Sequence, residues 1–186
     1  MSSHVFHEIY LHLNWHVKND QPWLTPRIET VVHSFLKERC RQMTGVDLHE
    51  VGGTETHVHL ALNVEPFVTP SDMVRELKGG TSHDINVQER MKALEWQRGY
   101  GIVSFGKKQL PWVVEYVRNQ KEHHARGKVF DRLERTEFDE EGERAEEGGR
   151  SPAGSRLKKN VGECPLDHQL KLVADEEVGW KPTRRG

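Results

Sequence analysis

The chain is poor in cysteine. Its two, Cys40 and Cys164, stand far apart in 186 residues, which excludes a disulfide framework and a CxxC metal pair. Two reduced thiols are the expectation. Long apolar runs are also missing: none approaches the roughly 18 residues that a membrane helix needs, and Met1-Ser2-Ser3-His4 lacks the basic start and apolar stretch of a secretory signal. A cytoplasmic protein with no membrane partner is expected. Positive charge is not in excess either. The formal net charge is -2, and Lys/Arg balance Asp/Glu over residues 1–137. A protein that coats nucleic acid through phosphate contacts is usually basic, so a nucleic-acid partner of this chain is gripped locally. The stretch from Arg118 to Arg135 is one candidate patch, with six basic residues against three acidic ones; a solvated helix end reads the same way on charge alone. No internal repeat is visible.

What is present suits one compact domain with a tail. Residues 8–17 alternate strictly: Ile9, Leu11, Leu13, Trp15 and Val17 share one face, and Tyr10, His12, Asn14 and His16 the other. That pattern predicts a strand buried on one side. Thr25-Pro26 is a helix start, with Thr as cap and Pro at the first position. Ile28, Val31, Val32, Phe35 and Leu36 follow at helical spacing, and Gly45 closes the helix. Strands are expected around Val46–Val51 and His57–Val64. A helix opens at Pro70 and is interrupted at Gly79-Gly80; a short strand spans Gly99–Gly106, and a last helix runs from Leu110 to His124. The order β-α-β-β-α-β-α predicts an α+β fold, a ferredoxin-like antiparallel sheet with helices. From about Asp139 the chain turns rich in Glu, Gly, Arg and Ser. Such a composition buries too little apolar surface to offset chain entropy. Residues 1–138 are therefore read as the domain and 139–186 as a charged, disordered tail, in which Leu166, Leu170, Leu172 and Val173 form at most one short amphipathic piece.

Two segments carry chemistry. In Thr56-His57-Val58-His59-Leu60-Ala61-Leu62 the histidines lie two apart on a strand and point the same way, opposite the apolar residues. Two neighbouring imidazoles either ligate one divalent metal or form a solvated polar surface. In Leu110–Gln120, Leu110, Val113, Val114 and Val117 form a packing stripe, with Tyr116 and Gln120 stacked four apart beside it. A tyrosine there is ordinarily a core-edge residue. A phenol, with its pKa near 10, is a weak nucleophile at neutral pH. It becomes useful where a metal stabilises charge on a scissile phosphate. Two His, a Tyr and a Gln oxygen form a minimal kit for phosphodiester transesterification.

At these residues the chain resembles the single-tyrosine HUH transposases of bacterial insertion sequences, including their REP-associated relatives. The resemblance rests on Glu55-Thr56-His57-Val58-His59-Leu60, Leu77-Lys78-Gly79-Gly80-Thr81-Ser82, Trp96-Gln97-Arg98-Gly99-Tyr100-Gly101 and Tyr116-Val117-Arg118-Asn119-Gln120-Lys121-Glu122-His123-His124, in order across residues 5–135. It implies an HUH endonuclease-like domain in a bacterial cytoplasm, with His57, His59 and Gln120 as ligands of Mg²⁺ or Mn²⁺ and Tyr116 as nucleophile. The implied reaction cleaves and rejoins single-stranded DNA through a 5′-phosphotyrosine link, acting on hairpin ends as a homodimer, often with the tyrosine helix exchanged between subunits. Lys78, Thr81, Ser82 and Arg118 are candidate phosphate contacts, or equally loop caps and surface charges. His123 and His124 are candidates to titrate the site or hold DNA, or simply suit the helix dipole. A domesticated, non-mobile binder of single strands or hairpins, or a hydrolytic nuclease of the same fold, is the alternative.

Overall fold

The computed structural model describes residues 6–136; the expected tail, 139–186, lies outside them. Four strands, β1 (Tyr10–His16), β2 (Val46–Gly53), β3 (His57–Val64) and β4 (Gly101–Phe105), form one sheet in the order β2-β3-β1-β4. Every pairing in it is antiparallel. Helix α1 (Pro26–Gln42) connects β1 to β2, and α2 (Pro70–Glu89) connects β3 to β4. This is the α+β, ferredoxin-like arrangement expected from the order of elements.

The main core lies between the sheet and these two helices. Leu11, Leu13 and Trp15 of β1 stand opposite Leu62, Leu60 and Val58 of β3, and all six are buried together with Ile28, Val32 and Leu36 of α1 and Val74, Leu77 and Ile85 of α2. Each such side chain contributes about 1.5–3 kcal/mol by leaving water, which overrides weak local preferences. The Oγ1 of Thr25 accepts from the Ile28 amide at 3.5 Å, capping α1 as its sequence predicts.

Three local expectations need correction. Helix α2 is not interrupted at Gly79-Gly80. Gly80 instead lets α1 come close: a Cβ there would lie 2.0 Å from Cζ of Arg39, whose guanidinium bonds Glu76 and Asp84 at 2.6 Å each. The last helix is divided at Asn119 (φ -100°, ψ 23°) into α3 (Leu110–Arg118) and α4 (Gln120–Ala125). A four-residue helix, α5 (Asp131–Glu134), follows. Third, β1 is buried on both faces, because α3 covers the second face of the sheet through Val113 and Val117, packed with Ala61 and Phe105. Gly52 makes that cover close: a Cβ on it would sit 1.8 Å from the Val117 carbonyl oxygen. The face that alternation marks as polar is therefore an enclosed polar layer.

Candidate active site

That layer is built by strand register. Asn14 pairs with His59 and His16 with His57, so His12, Asn14 and His16 of β1 lie beside the two histidines of β3. His57 is 2% exposed and His59 fully buried. One ring nitrogen of each is held. His57 Nδ1 lies 3.0 Å from Thr54 Oγ1 and 2.9 Å from Thr56 Oγ1, and His59 Nδ1 lies 2.8 Å from His12 Nε2. Outer partners of this kind orient metal-binding imidazoles. They leave Nε2 of both rings buried without a hydrogen-bond partner. Burial lowers the His57 pKa from 6.5 to about 3, and lowers those of His59 and His12 as well. At neutral pH all three rings are uncharged, the form that binds metal.

Tyr116 of α3 meets this pair, and Gln120 follows at the start of α4. The Tyr116 ring lies 6.3 Å from that of His59, stacks on Trp112 at 5.5 Å and approaches His123 at 4.9 Å. Gln120 is fully buried; its Nε2 donates to the Tyr116 carbonyl at 3.4 Å, and its Oε1 has no hydrogen-bond partner. A buried amide oxygen left unpaired costs roughly 1–3 kcal/mol, and a bound cation is one partner that would offset this. Each of the three residues expected to hold a metal thus has one unpaired atom, His57 Nε2, His59 Nε2 and Gln120 Oε1. They are three of eight such buried atoms among the described residues, with His12 Nδ1 and His16 Nε2 of the same layer among the others. One carbonyl oxygen with two imidazoles is a donor set that suits a divalent ion.

Sequence reasoning missed two participants. His12 is one, although its place on the polar face of β1 was visible. Glu134 is the other, and no motif announces it. Its carboxylate accepts a short hydrogen bond from the Tyr116 hydroxyl, and its other oxygen, Oε2, lies 3.3 Å from His59 Nε2, 3.6 Å from His57 Nε2 and 3.5 Å from His124 Nε2. The distances are those of ion pairs, but His57 and His59 are neutral, so these two contacts are not salt bridges. Burial works to raise the Glu134 pKa, and its contacts, the Tyr116 hydroxyl among them, outweigh burial and lower it overall. Tyr116 is held the other way: burial first, then the negative charge of Glu134, raises its pKa. The phenol is 2% exposed and also accepts from the Phe130 amide at 3.1 Å.

The expected phosphate contacts are placed elsewhere. Lys78 Nζ donates to the carbonyls of Gln97, Arg98 and Gly99 at 2.7, 3.1 and 2.7 Å, and burial lowers its pKa to about 8. Ser82 donates to the Lys78 carbonyl at 3.0 Å. Both line a cavity of about 540 Å³ with Arg75, Arg98, Trp96 and Tyr100. Thr81 is fully buried and donates to the Leu77 carbonyl at 2.5 Å, because helix packing turns it inward; as folded it offers a phosphate nothing. Arg118 pairs with Glu50 at 2.7 Å and Glu115 at 3.4 Å. Among the described residues, Cys40 is a free, buried thiol, and no helix is long and apolar enough to cross a membrane.

The family model described as "Transposase IS200 like" matches residues 5–120. Among solved structures, a candidate transposase from Deinococcus radiodurans R1 superposes with a TM-score of 0.52 at 19% identity, covering 64% of this chain and 96% of the other. A REP-associated tyrosine transposase bound to a REP hairpin gives 0.48 at 15% identity, over 88% and 98%. No curated protein matches the chain.

Proposed function

We propose that this chain, which belongs to the IS200-like transposase family, cleaves and rejoins single-stranded DNA with Tyr116 as nucleophile and a divalent metal held by His57, His59 and Gln120. The observation that carries the reading is the coincidence of orphaned atoms. The Nε2 atoms of His57 and His59 are buried without a hydrogen-bond partner, and the His59 ring lies 6.3 Å from that of the tyrosine the motif selects. Gln120 Oε1, four residues along from that tyrosine, is buried and unpaired as well. A cation bound there supplies charge neutralisation for a phosphate oxygen; Mg²⁺ and Mn²⁺ are the candidates, since the set includes oxygen.

The residues of the chain divide the remaining work. Thr54 and Thr56 hold His57, and His12 holds His59, so that each Nε2 stays directed to one locus. Trp112, His123 and Phe130 fix the Tyr116 ring by stacking and edge contacts. Tyr116 Oη attacks the scissile phosphorus, the bond from phosphorus to the 3′-oxygen breaks, and the phenolic proton is balanced by protonation of the departing 3′-oxygen. The products are a 5′-phosphotyrosine and a free 3′-OH. A later attack by a 3′-OH reverses the exchange, one phosphodiester replacing another, so no external energy source is required. Because Tyr116 is covered by Phe130 and Glu134, a phosphate reaches it only when that stretch moves aside.

The substrate is hairpin-forming single-stranded DNA in a bacterial cytoplasm, with Lys78, Ser82 and Arg118 as phosphate contacts once their present partners yield. A homodimer belongs to the same reading. In the single chain Tyr116 lies beside His59 of its own subunit. The test is to incubate the wild-type chain and Tyr116→Phe with hairpin DNA from the flanks of the gene, in Mg²⁺ and in Mn²⁺, on a denaturing gel. A covalent adduct made by wild type and absent from the variant supports the reading. Tight hairpin binding with no adduct in either metal favours a domesticated binder.

A further inference from the structure

Glu134 lies beyond the residues that the family model matches, 5–120, and beyond every motif on which the metal site was expected. Its position is nevertheless built in. Asn14, buried in the polar layer, donates to the Glu134 carbonyl at 2.9 Å. Leu133 beside it is buried, and Gln97 donates to Thr136 at 3.3 Å. Gly101 of β4 admits the backbone here: a Cβ would lie 2.0 Å from both the Arg135 carbonyl and Asn14 Oδ1. Contacts on both sides of residue 134 thus deliver one carboxylate to the two histidines.

We infer that Glu134 is a ligand of the divalent cation in the DNA-free chain, adding an anionic oxygen to His57, His59 and Gln120. One ligand atom from each of His57, His59 and Glu134 lies within 4.8 Å of the others, close enough to surround a single ion. The two carboxylate oxygens divide their roles: one holds the Tyr116 hydroxyl, and Oε2 faces both unpaired Nε2 atoms. A divalent ion placed between Oε2 and the two Nε2 atoms satisfies all three donors at once. Two histidines and a carboxylate recur as a ligand set for divalent metals. The assignment rests on the proposed metal site and adds a residue to it.

The test is metal binding by the full chain without DNA, so it is independent of strand transfer. Mn²⁺ is titrated calorimetrically into wild type, Glu134→Ala, Glu134→Gln and His59→Ala, with water-proton relaxivity reporting the waters left on the bound ion. Thermal melts in EDTA check that each variant folds; Glu134→Gln keeps the shape and a partner for Tyr116, and the Asn14 contact is to backbone in both. Removing an outer-shell partner typically costs 10–100-fold in affinity, so loss of a direct ligand in Glu134→Ala is expected to raise the Mn²⁺ Kd by about tenfold or more. Glu134→Gln falls between, and relaxivity rises as water replaces the carboxylate. Unchanged or tighter Mn²⁺ binding in Glu134→Ala, with binding lost in His59→Ala, overturns the role of Glu134 and leaves the metal site standing. No saturable Mn²⁺ binding by wild type overturns both.

Discussion

Acidification of the metal-free chain tests the enclosed polar layer. His57 titrates at 6.5 when unfolded and at about 3 in the fold, chiefly because burial penalises its charge. The unfolded chain therefore binds a proton that the folded chain refuses. Stability is full above pH 6.5 and falls as pH drops toward 3, the direction linkage requires for a group whose pKa is depressed by folding. At pH 5 the loss from this one ring is about 2 kcal/mol, at 1.36 kcal/mol per pKa unit. The perturbation is His57→Gln, which removes the titration and leaves His12 and His59 in both proteins. Urea unfolding in EDTA at pH 7.5 and pH 5 gives the four free energies. Wild type should lose about 2 kcal/mol more than the variant between those two values. Equal losses in the two proteins would refute the reasoning, because His57 would then be charged or solvated in the fold.

Gly52→Ala places a methyl 1.8 Å from the Val117 carbonyl; overpacking of this kind costs about 1–3 kcal/mol, read by urea unfolding, and adduct formation should fall as α3 shifts Tyr116. His12→Phe removes the partner of His59 Nδ1 and should weaken Mn²⁺ binding about 10–100-fold, measured by calorimetry. Thr25→Ala deletes the cap on α1 and should cost about 1 kcal/mol with the Mn²⁺ affinity unchanged.

Most of the fold was legible because its signals are periodic. Alternation in residues 8–17 and 57–64 and the stripe at Ile28, Val32 and Leu36 each mark the face that meets the core, and the order of elements then leaves few topologies. Alternation could not reveal what covers the other face. His12, Asn14 and His16 read as solvated because a polar residue on a strand looks the same under solvent as under a helix. The glycines at 79 and 80 misled for a related reason: Gly80 answers to Arg39, forty-one positions away, and not to its neighbours. The site divides along the same line. His57, His59, Tyr116 and Gln120 carry spacing that chemistry and family can read. Glu134 depends on a chain path through Phe130, Leu133 and Asn14 that no local pattern encodes, and the inward turn of Thr81 is likewise a property of packing.

The central claim, that Tyr116 is the nucleophile, is met most directly by mapping the covalent product. Wild-type protein incubated with hairpin DNA and Mn²⁺ is digested with protease and nuclease, and the cross-linked peptide is sequenced by mass spectrometry. The account predicts a nucleotide joined through its 5′-phosphate to Tyr116, with the released strand ending in a 3′-OH that a polymerase extends. Attachment to another residue, or cleaved DNA carrying no attached peptide at all, would contradict it.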